Sequence, residues 1–144
     1  KEEVISYIED FIFSYIKFNN NIPYDIIIKK NKYKLKNKNK VELDSDPFEK
    51  YFDVFSKSEI VSLQILTHDV MEDILNFYLL YKIQFEIIIR KNKAYIKFTT
   101  GNIFRPNVLL NSNNLEVLWL YYNITKFIVN FTTKIDKILK DVEI

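Results

Sequence analysis

An α+β fold, with a mostly antiparallel sheet of about five strands and two to three covering helices, follows from three features of the chain. Short runs of β-branched and aromatic residues alternate with period 2 between turn signals. Further on, segments with apolar residues at helical spacing stand behind capping residues. The last of these segments is long and makes a long C-terminal helix. With 144 residues, 48% of them hydrophobic, the chain fits one domain over residues 1–144 and can bury a real core. There is no internal repeat and no Pro/Ser-rich linker to divide it.

Val4 to Phe18 is dense in β-formers. A period-2 reading puts Phe11, Phe13 and Tyr15 on one face and Ile12, Ser14 and Ile16 on the other. A break near Glu9-Asp10 gives two strands; a helix over Glu2 to Asp10 is the rival. Asn19-Asn20-Asn21 signals a turn, because Asn tolerates left-handed dihedrals. Tyr24 to Lys30 is then the returning strand. Lys29 to Lys40 is a charged, exposed hairpin or loop. Val41 to Leu43 is a short strand, and Tyr51 to Phe55 a strand or extended lead-in.

Ser56 can cap a helix with Glu59 as its capping-box partner, turning Ile60, Leu63 and Ile65 inward. Thr67 caps the next helix, His68 to Lys82, with Asp69 near the positive end of its dipole. Met71, Ile74, Leu75, Tyr78 and Leu79 fall at helical spacing there. Phe85 to Arg90 and Ala94 to Thr99 form a hairpin around Lys91-Asn92-Lys93. Gly101 and Pro106 punctuate the exit. Asn113 and Glu116 pair as a cap for the last helix, Leu115 to Leu139. Its apolar stripe contains Leu115, Leu118, Tyr121, Tyr122, Phe127, Phe131, Ile135 and Ile138. Leu115 to Phe131 is no membrane span: Glu116, Asn123, Lys126 and Asn130 interrupt a run shorter than the ~20 residues a bilayer requires.

Composition excludes several kinds of chemistry. The chain has no Cys, so disulfides, thiolate metal sites and Cys nucleophiles are out. One Gly cannot build a Gly-rich phosphate loop. A net charge of +2 does not by itself imply a polyanion partner. Arg occurs only at Arg90 and Arg105 among 21 basic residues. An AT-rich genome explains that bias, and it lowers the weight of Lys- and Asn-rich runs. The chain opens at Lys1 without Met, so a fragment or a trimmed form of a longer protein is expected. These residues hold no signal-peptide core, and an anchor upstream is compatible with them.

The candidate sites are few. His68 is the only histidine. Its neighbour Asp69 points elsewhere on a helix, so the two do not form a base with its orienting carboxylate. Ser-His-Asp catalysis has no nucleophile elbow here. Glu42, Asp44, Asp46, Glu49 and Asp53 lack the turn glycine of a dedicated Ca²⁺ loop, and Pro47 and Phe48 sit in their midst. Asp46-Pro47 reads instead as a cap before Phe48 enters the core. No catalytic, cofactor-binding or metal residue and no cofactor are therefore expected. Lys32, Lys34, Lys36, Lys38 and Lys40 share one face of an extended chain and make a basic stripe that could follow phosphates or anionic lipid. Only Tyr33 interleaves, so base stacking has little support, and a solvated edge is the plainer reading. The sequons at Asn123 and Asn130 lie inside a helix and are discounted. With 12 Phe, 10 Tyr and one Trp, aromatics exceed what one helix can bury where Trp119, Tyr121 and Tyr122 crowd about one turn. Core packing is their default, and a partner-facing patch is the alternative.

Asp46, Pro47, Phe48, Glu49, Phe52, Val54, Phe55 and Ser56, followed by Leu66-Thr67, resemble the signature of a bacterial family, domain of unknown function 3137. In that family a D-P-x-F-E-x-x-F-x-V-Y-S run leads into a helix. The resemblance covers roughly Phe11 to Arg105 and is strongest over Asp44 to Leu75. Relatives have a comparable strand pair, with a glycine near the position of Ser14. They have an acidic pair where Lys57-Ser58 stands, and a Glu-Ala-Arg-type run where Val61-Ser62-Leu63 stands; Phe55 replaces their Tyr. Any function held by those charges is lost here, while the apolar skeleton persists. Many relatives have hydrophobic segments upstream. The resemblance thus implies the soluble part of a membrane-tethered protein, in the cytoplasm or at the cytoplasmic face of the membrane. The expected role is a non-enzymatic interaction or scaffold module with a protein partner. Polyanion binding through Lys29 to Lys40 is the alternative, and a hydrolase with an unlocated site the third.

Overall fold

Two long strands set the architecture. The computed structural model describes residues 10–31, 39–101 and 114–142. In chain order these form β1 (Phe11–Lys30), β2 (Lys40–Val41), α1 (Asp46–Glu49), β3 (Phe52–Ser56), α2 (Glu59–Ile65), α3 (His68–Tyr81), β4 (Gln84–Thr99) and α4 (Asn114–Asp141). The sheet runs β2-β3-β1-β4 with every pairing antiparallel. The class is α+β, as expected, with four strands instead of about five. Val4 to Glu9, the cap residue Asn113 and Pro106 lie outside the described residues.

Among the described residues the lower strand count reflects a different pairing. Neither expected hairpin forms. β1 passes through Asn19-Asn20-Asn21, β4 passes through Lys91-Asn92-Lys93, and the two pair with each other along their length. Lys17 faces Lys93 and Ile22 faces Lys91, so between these pairs four residues of β1 stand against one of β4. Between Ile22/Lys91 and Ile26/Ile89 the register slips again. The turn residues have become bulges at the same level of both strands, and Lys91 takes the left-handed conformation there, φ 54°. Bulges bend a ribbon sharply. Phe85 and Phe98 would lie ~43 Å apart on a straight strand at ~3.3 Å per residue. Here their ring centroids are 5.7 Å apart. A bulged residue also loses its ladder partner; Asn19 N–H instead donates to Asp136 Oδ1 on α4 at 3.1 Å.

Alternation then decides the faces. Ile12, Ile16, Ile26 and Ile28 of β1 meet Phe98, Ala94, Ile89 and Ile87 of β4 on the core face. This matched register is why pairing between the strands wins over pairing within each. Phe52, Phe77, Phe85, Phe98 and Phe127 make a chain of ring contacts through the centre, with centroids 4.5–5.7 Å apart.

Helix α2 starts two residues later than expected. Ser58, not Ser56, is the N-cap, accepting from Val61 N–H at 3.3 Å. Ser56 ends β3 opposite Ile26 and is buried. The later start rotates the helix: Val61, Ser62 and Ile65 turn inward, while Ile60 and Leu63 face out. Helix α3 follows its expected course. Thr67 Oγ1 accepts from Val70 N–H at 3.4 Å, and Met71, Ile74 and Tyr78 are buried. Leu79 faces out. Lys82 closes α3 in the left-handed conformation, its N–H donating to Tyr78 O at 2.8 Å.

The stripe expected on the last helix is half right. Phe127, Phe131 and Ile135 are buried and Ile138 is partly so. Leu115, Leu118, Tyr121 and Tyr122 point away from the core; Val117, Ile124 and Leu139 take the inward positions. Apolar residues stand on two sides of this helix, and the expected stripe mixes them.

Candidate interaction surface

The most distinctive residues of the sequence serve the fold. Pro47 occupies the first turn of α1 and Phe48 drops into the core, stacking on Phe52 at 5.1 Å. Glu49 Oε1 accepts the Leu43 N–H at 2.8 Å, holding the chain after β2 against the start of β3. Asn31 Nδ2 donates to the carbonyls of Glu49 and Lys50 at 2.8 and 3.0 Å and closes the other side. Of the five acidic residues in this stretch, Glu49 is thus committed to a backbone amide, and Asp53 to Lys40 at 2.9 Å. Among the described residues, no group of three or more His, Cys, Asp or Glu is placed to hold a metal ion. His68 is exposed beside a hollow of ≈ 240 Å³ lined by Pro47, Phe48, Met71 and Glu72.

The basic stripe is described only at its ends. Lys32, Lys34, Lys36 and Lys38 lie outside the described residues. Lys40 is paired with Asp53, Lys29 sits over the Phe55 ring at 4.8 Å, and Lys30 sits over the Tyr78 ring at 5.0 Å. These three cations have intramolecular work as covers of aromatic rings or as a salt-bridge partner.

A second aromatic feature lies on the open face of the sheet. Phe11, Phe13 and Tyr15 alternate outward on β1 opposite Thr99, Lys97 and Tyr95. Tyr95 contacts Phe13 and Tyr15 at 6.0 and 5.5 Å, and Lys93 and Lys97 lie over Tyr15 and Phe11. The period-2 reading puts the three β1 rings on one face; their cross-strand partners require the register. Such rows stabilise a two-stranded ribbon where no second layer covers it.

A further exposed apolar surface lies on α4. Leu115, Leu118, Trp119, Tyr121 and Tyr122 are all more than half exposed, Trp119 at 63%, and Val129 joins them two turns further on. Trp119 and Tyr122 stack with centroids 5.6 Å apart. Helix α3 runs antiparallel to α4 beside this surface. Lys134 on α4 bridges Asp69 and Asp73 near the start of α3, and Asn130 Nδ2 donates to Asp73 Oδ2 at 3.0 Å. At the other end, Phe77 and Tyr81 share with Tyr122, Lys126 and Val129 a groove of ≈ 670 Å³. Helix α3 stops there, so the first two turns of α4 run on past it. Lys134 is held with a raised pKa: burial opposes the ammonium, and the hydrogen bonds to Asp69 and Asp73 outweigh that.

Trp119, Tyr121 and Tyr122, the aromatics singled out from the sequence, thus lie together on this surface. Leu115, Leu118 and Val129 were missed as surface residues. Their signal was in the spacing: Leu115, Leu118, Tyr122 and Val129 repeat at intervals of three, four and seven, out of phase with Val117, Ile124, Phe131 and Ile135.

Residues 12–139 match the family described as protein of unknown function (DUF3137). The chain belongs to that family. No curated protein and no solved structure matches this DUF3137 chain. The match extends well past Arg105, where the sequence resemblance ended, so α4 is part of the family's domain. Among the described residues of the DUF3137 chain, no helix is long and apolar enough to cross a membrane.

Proposed function

We propose that this DUF3137 chain is a non-enzymatic interaction or scaffold module whose docking surface is the outer face of α4. The observation that supports this most is the gathering of five large apolar side chains on two turns of one helix, each more than half exposed. Scattered exposed apolar residues are ordinary in soluble proteins, whereas a contiguous patch rich in Trp and Tyr is typical of interfaces. The use of the signature residues Phe48, Glu49 and Phe52 as structural parts also favours a scaffold over an enzyme. We place the module in the cytoplasm or at the cytoplasmic face of the membrane, because many of the relatives it resembles have hydrophobic segments upstream.

A photo-crosslinking residue at Leu118, introduced in the native cells, should give discrete protein adducts. The same residue at exposed Gln64 on α2 should not. Equal, scattered labelling from both positions, or none from Leu118, would remove this reading.

A further inference from the structure

We infer that the outer face of the β1–β4 ribbon binds single-stranded nucleic acid, with bases on its rings and phosphates on its lysines. This face is separate from the α4 surface and does not depend on it. Four consecutive outward rungs make it: Phe11 with Thr99, Phe13 with Lys97, Tyr15 with Tyr95 and Lys17 with Lys93. Phe11, Phe13 and Tyr15 are each more than half exposed. Tyr95 touches two of them, at 6.0 Å from Phe13 and 5.5 Å from Tyr15, which limits their freedom before any ligand arrives. Neighbouring rings along β1 stand two residues apart, ~6.6 Å on a strand rising ~3.3 Å per residue. A stretched single strand advances about as far with each nucleotide, so successive bases can stack on successive rings.

Charge on this face has one sign. The ionised side chains of the four rungs are Lys17, Lys93 and Lys97, and no acid stands among them. Asp10, just before the first rung, falls on the opposite side by alternation. Asp25, beyond the bulges, is bound to Arg90 at 2.8 Å. Lys93 lies over Tyr15 at 5.7 Å and Lys97 over Phe11 at 4.9 Å, so ammonium stands beside ring as phosphate stands beside base. The positive charge continues past the last rung. Lys97 and Thr99 share a hollow of ≈ 280 Å³ with Lys29, Lys30, Gln84 and Glu86, three ammonium groups to one carboxylate. Lysine is frequent in this chain, but it is the strand register that sets three of them among rings.

The interleaving favours this ligand over a membrane. A lipid-facing patch keeps lysines at its rim, where their ammonium groups stay among the headgroups. Here Lys97 stands across from Phe13, within the row of rings, and sinking the rings would sink it too. A duplex keeps its bases stacked on one another and offers the rings nothing. The four rungs hold no Asn, Gln or Arg to read base edges, so sequence preference is weak. Phe11 to Lys17 spans ~20 Å at ~3.3 Å per residue. That is room for about four nucleotides, the low end of single-strand sites.

Fluorescence anisotropy with labelled oligo(dT) and oligo(rU) tests the face on the intact chain. Both should bind, with log affinity falling against log salt at a slope of about −2, the value for three phosphate contacts on a single strand. Lys17→Gln together with Lys93→Gln should flatten that slope to about −0.7. The same loss of two charges at exposed Lys57 and Lys137 should not. Phe13→Leu keeps an apolar side chain at an exposed site but removes the ring. It should weaken binding about 10-fold at unchanged thermal midpoint. No binding at about 50 mM salt overturns the inference. So does a duplex bound as tightly as a single strand. Affinity that follows the lysines and ignores Phe13→Leu also overturns it, because charge alone would then be at work. Capture of phosphatidylserine–phosphatidylcholine vesicles without capture of oligonucleotides would make this face a membrane contact instead.

Discussion

The two ends of α4 are both rich in apolar residues and differently buried. From Ile124 to Leu139 the helix lies on the sheet and beside α3, and Ile124, Phe127, Phe131, Ile135 and Leu139 are all buried. From Leu115 to Tyr122 it has more large apolar residues per turn, yet among them Val117 is the one that is buried and Leu120 is half-buried. The difference lies in what stands opposite. The C-terminal end meets the bent β1–β4 ribbon, whose bulge it caps through Asp136, and Lys134 ties it to α3. Beyond Tyr122, α3 has already ended. Hydrophobicity thus marks a residue for burial, and the surrounding chain decides whether that burial happens.

Truncation within each end should separate the two cases most clearly. Phe131→Ala, at a fully enclosed site, should cost about 3–5 kcal/mol of folding stability, measured by urea unfolding. Trp119→Ala should stay within about 0.5 kcal/mol, despite removing the larger side chain. Similar losses for both would mean that the first turns of α4 are part of the core, and the comparison would fail. Next in size is the tie at the ribbon bend. Asp136→Ala should cost about 1 kcal/mol, because the Asn19 amide loses its side-chain acceptor. Hydrogen exchange should then speed up at Asn19 and its neighbours in the bulge, while the ladder around Ile28 and Ile87 is unaffected; uniform acceleration would place the bend inside the global unfolding unit. Thr67→Ala tests the helix that ends the comparison: losing the cap on Val70 N–H should cost about 1 kcal/mol.

The cap at Thr67, the α3 core positions Met71, Ile74 and Tyr78, and the plunge of Phe48 after Asp46-Pro47 all depend on neighbours within a few positions, and local patterns state them. Asn19-Asn20-Asn21 and Lys91-Asn92-Lys93 are places where regular strand fails, and their composition says so. Whether such a place becomes a turn or a bulge depends on which strand lies alongside, and that is a long-range matter: the two weak spots face each other across the ribbon, so both strands bend and neither reverses. The same limit applies to α4. Its two stripes are both in the sequence, but which one faces the sheet depends on where α3 ends and the ribbon lies. The early start expected for α2 has a smaller cause: Ser56 and Ser58 are both able caps, and the strand pairing of Ser56 with Ile26 leaves the task to Ser58.

The smallest expected effect concerns Lys134, the ion that fastens the buried end of α4 to α3. Its pKa is raised above the ordinary lysine value of 10.5, since the hydrogen bonds to Asp69 and Asp73 outweigh the cost of burying the charge. A raised lysine pKa means that the folded state holds the proton more tightly than the unfolded chain does. Its stabilisation is therefore complete below 10.5 and is lost as pH rises through the higher folded-state value. The pairs lie near the surface, so the amount is at most about 1 kcal/mol. The difference in stability between the wild type and Lys134→Met should accordingly be flat from about pH 7 to about pH 9 and should shrink only above the ordinary lysine range. A difference that instead changed steadily between about pH 7 and about pH 9 would mean that other titrating groups, not this lysine, hold the two helices together. The clasp stands on the buried end of α4, about three turns from Tyr122, so its titration and the behaviour of the exposed end can be measured separately on the same helix.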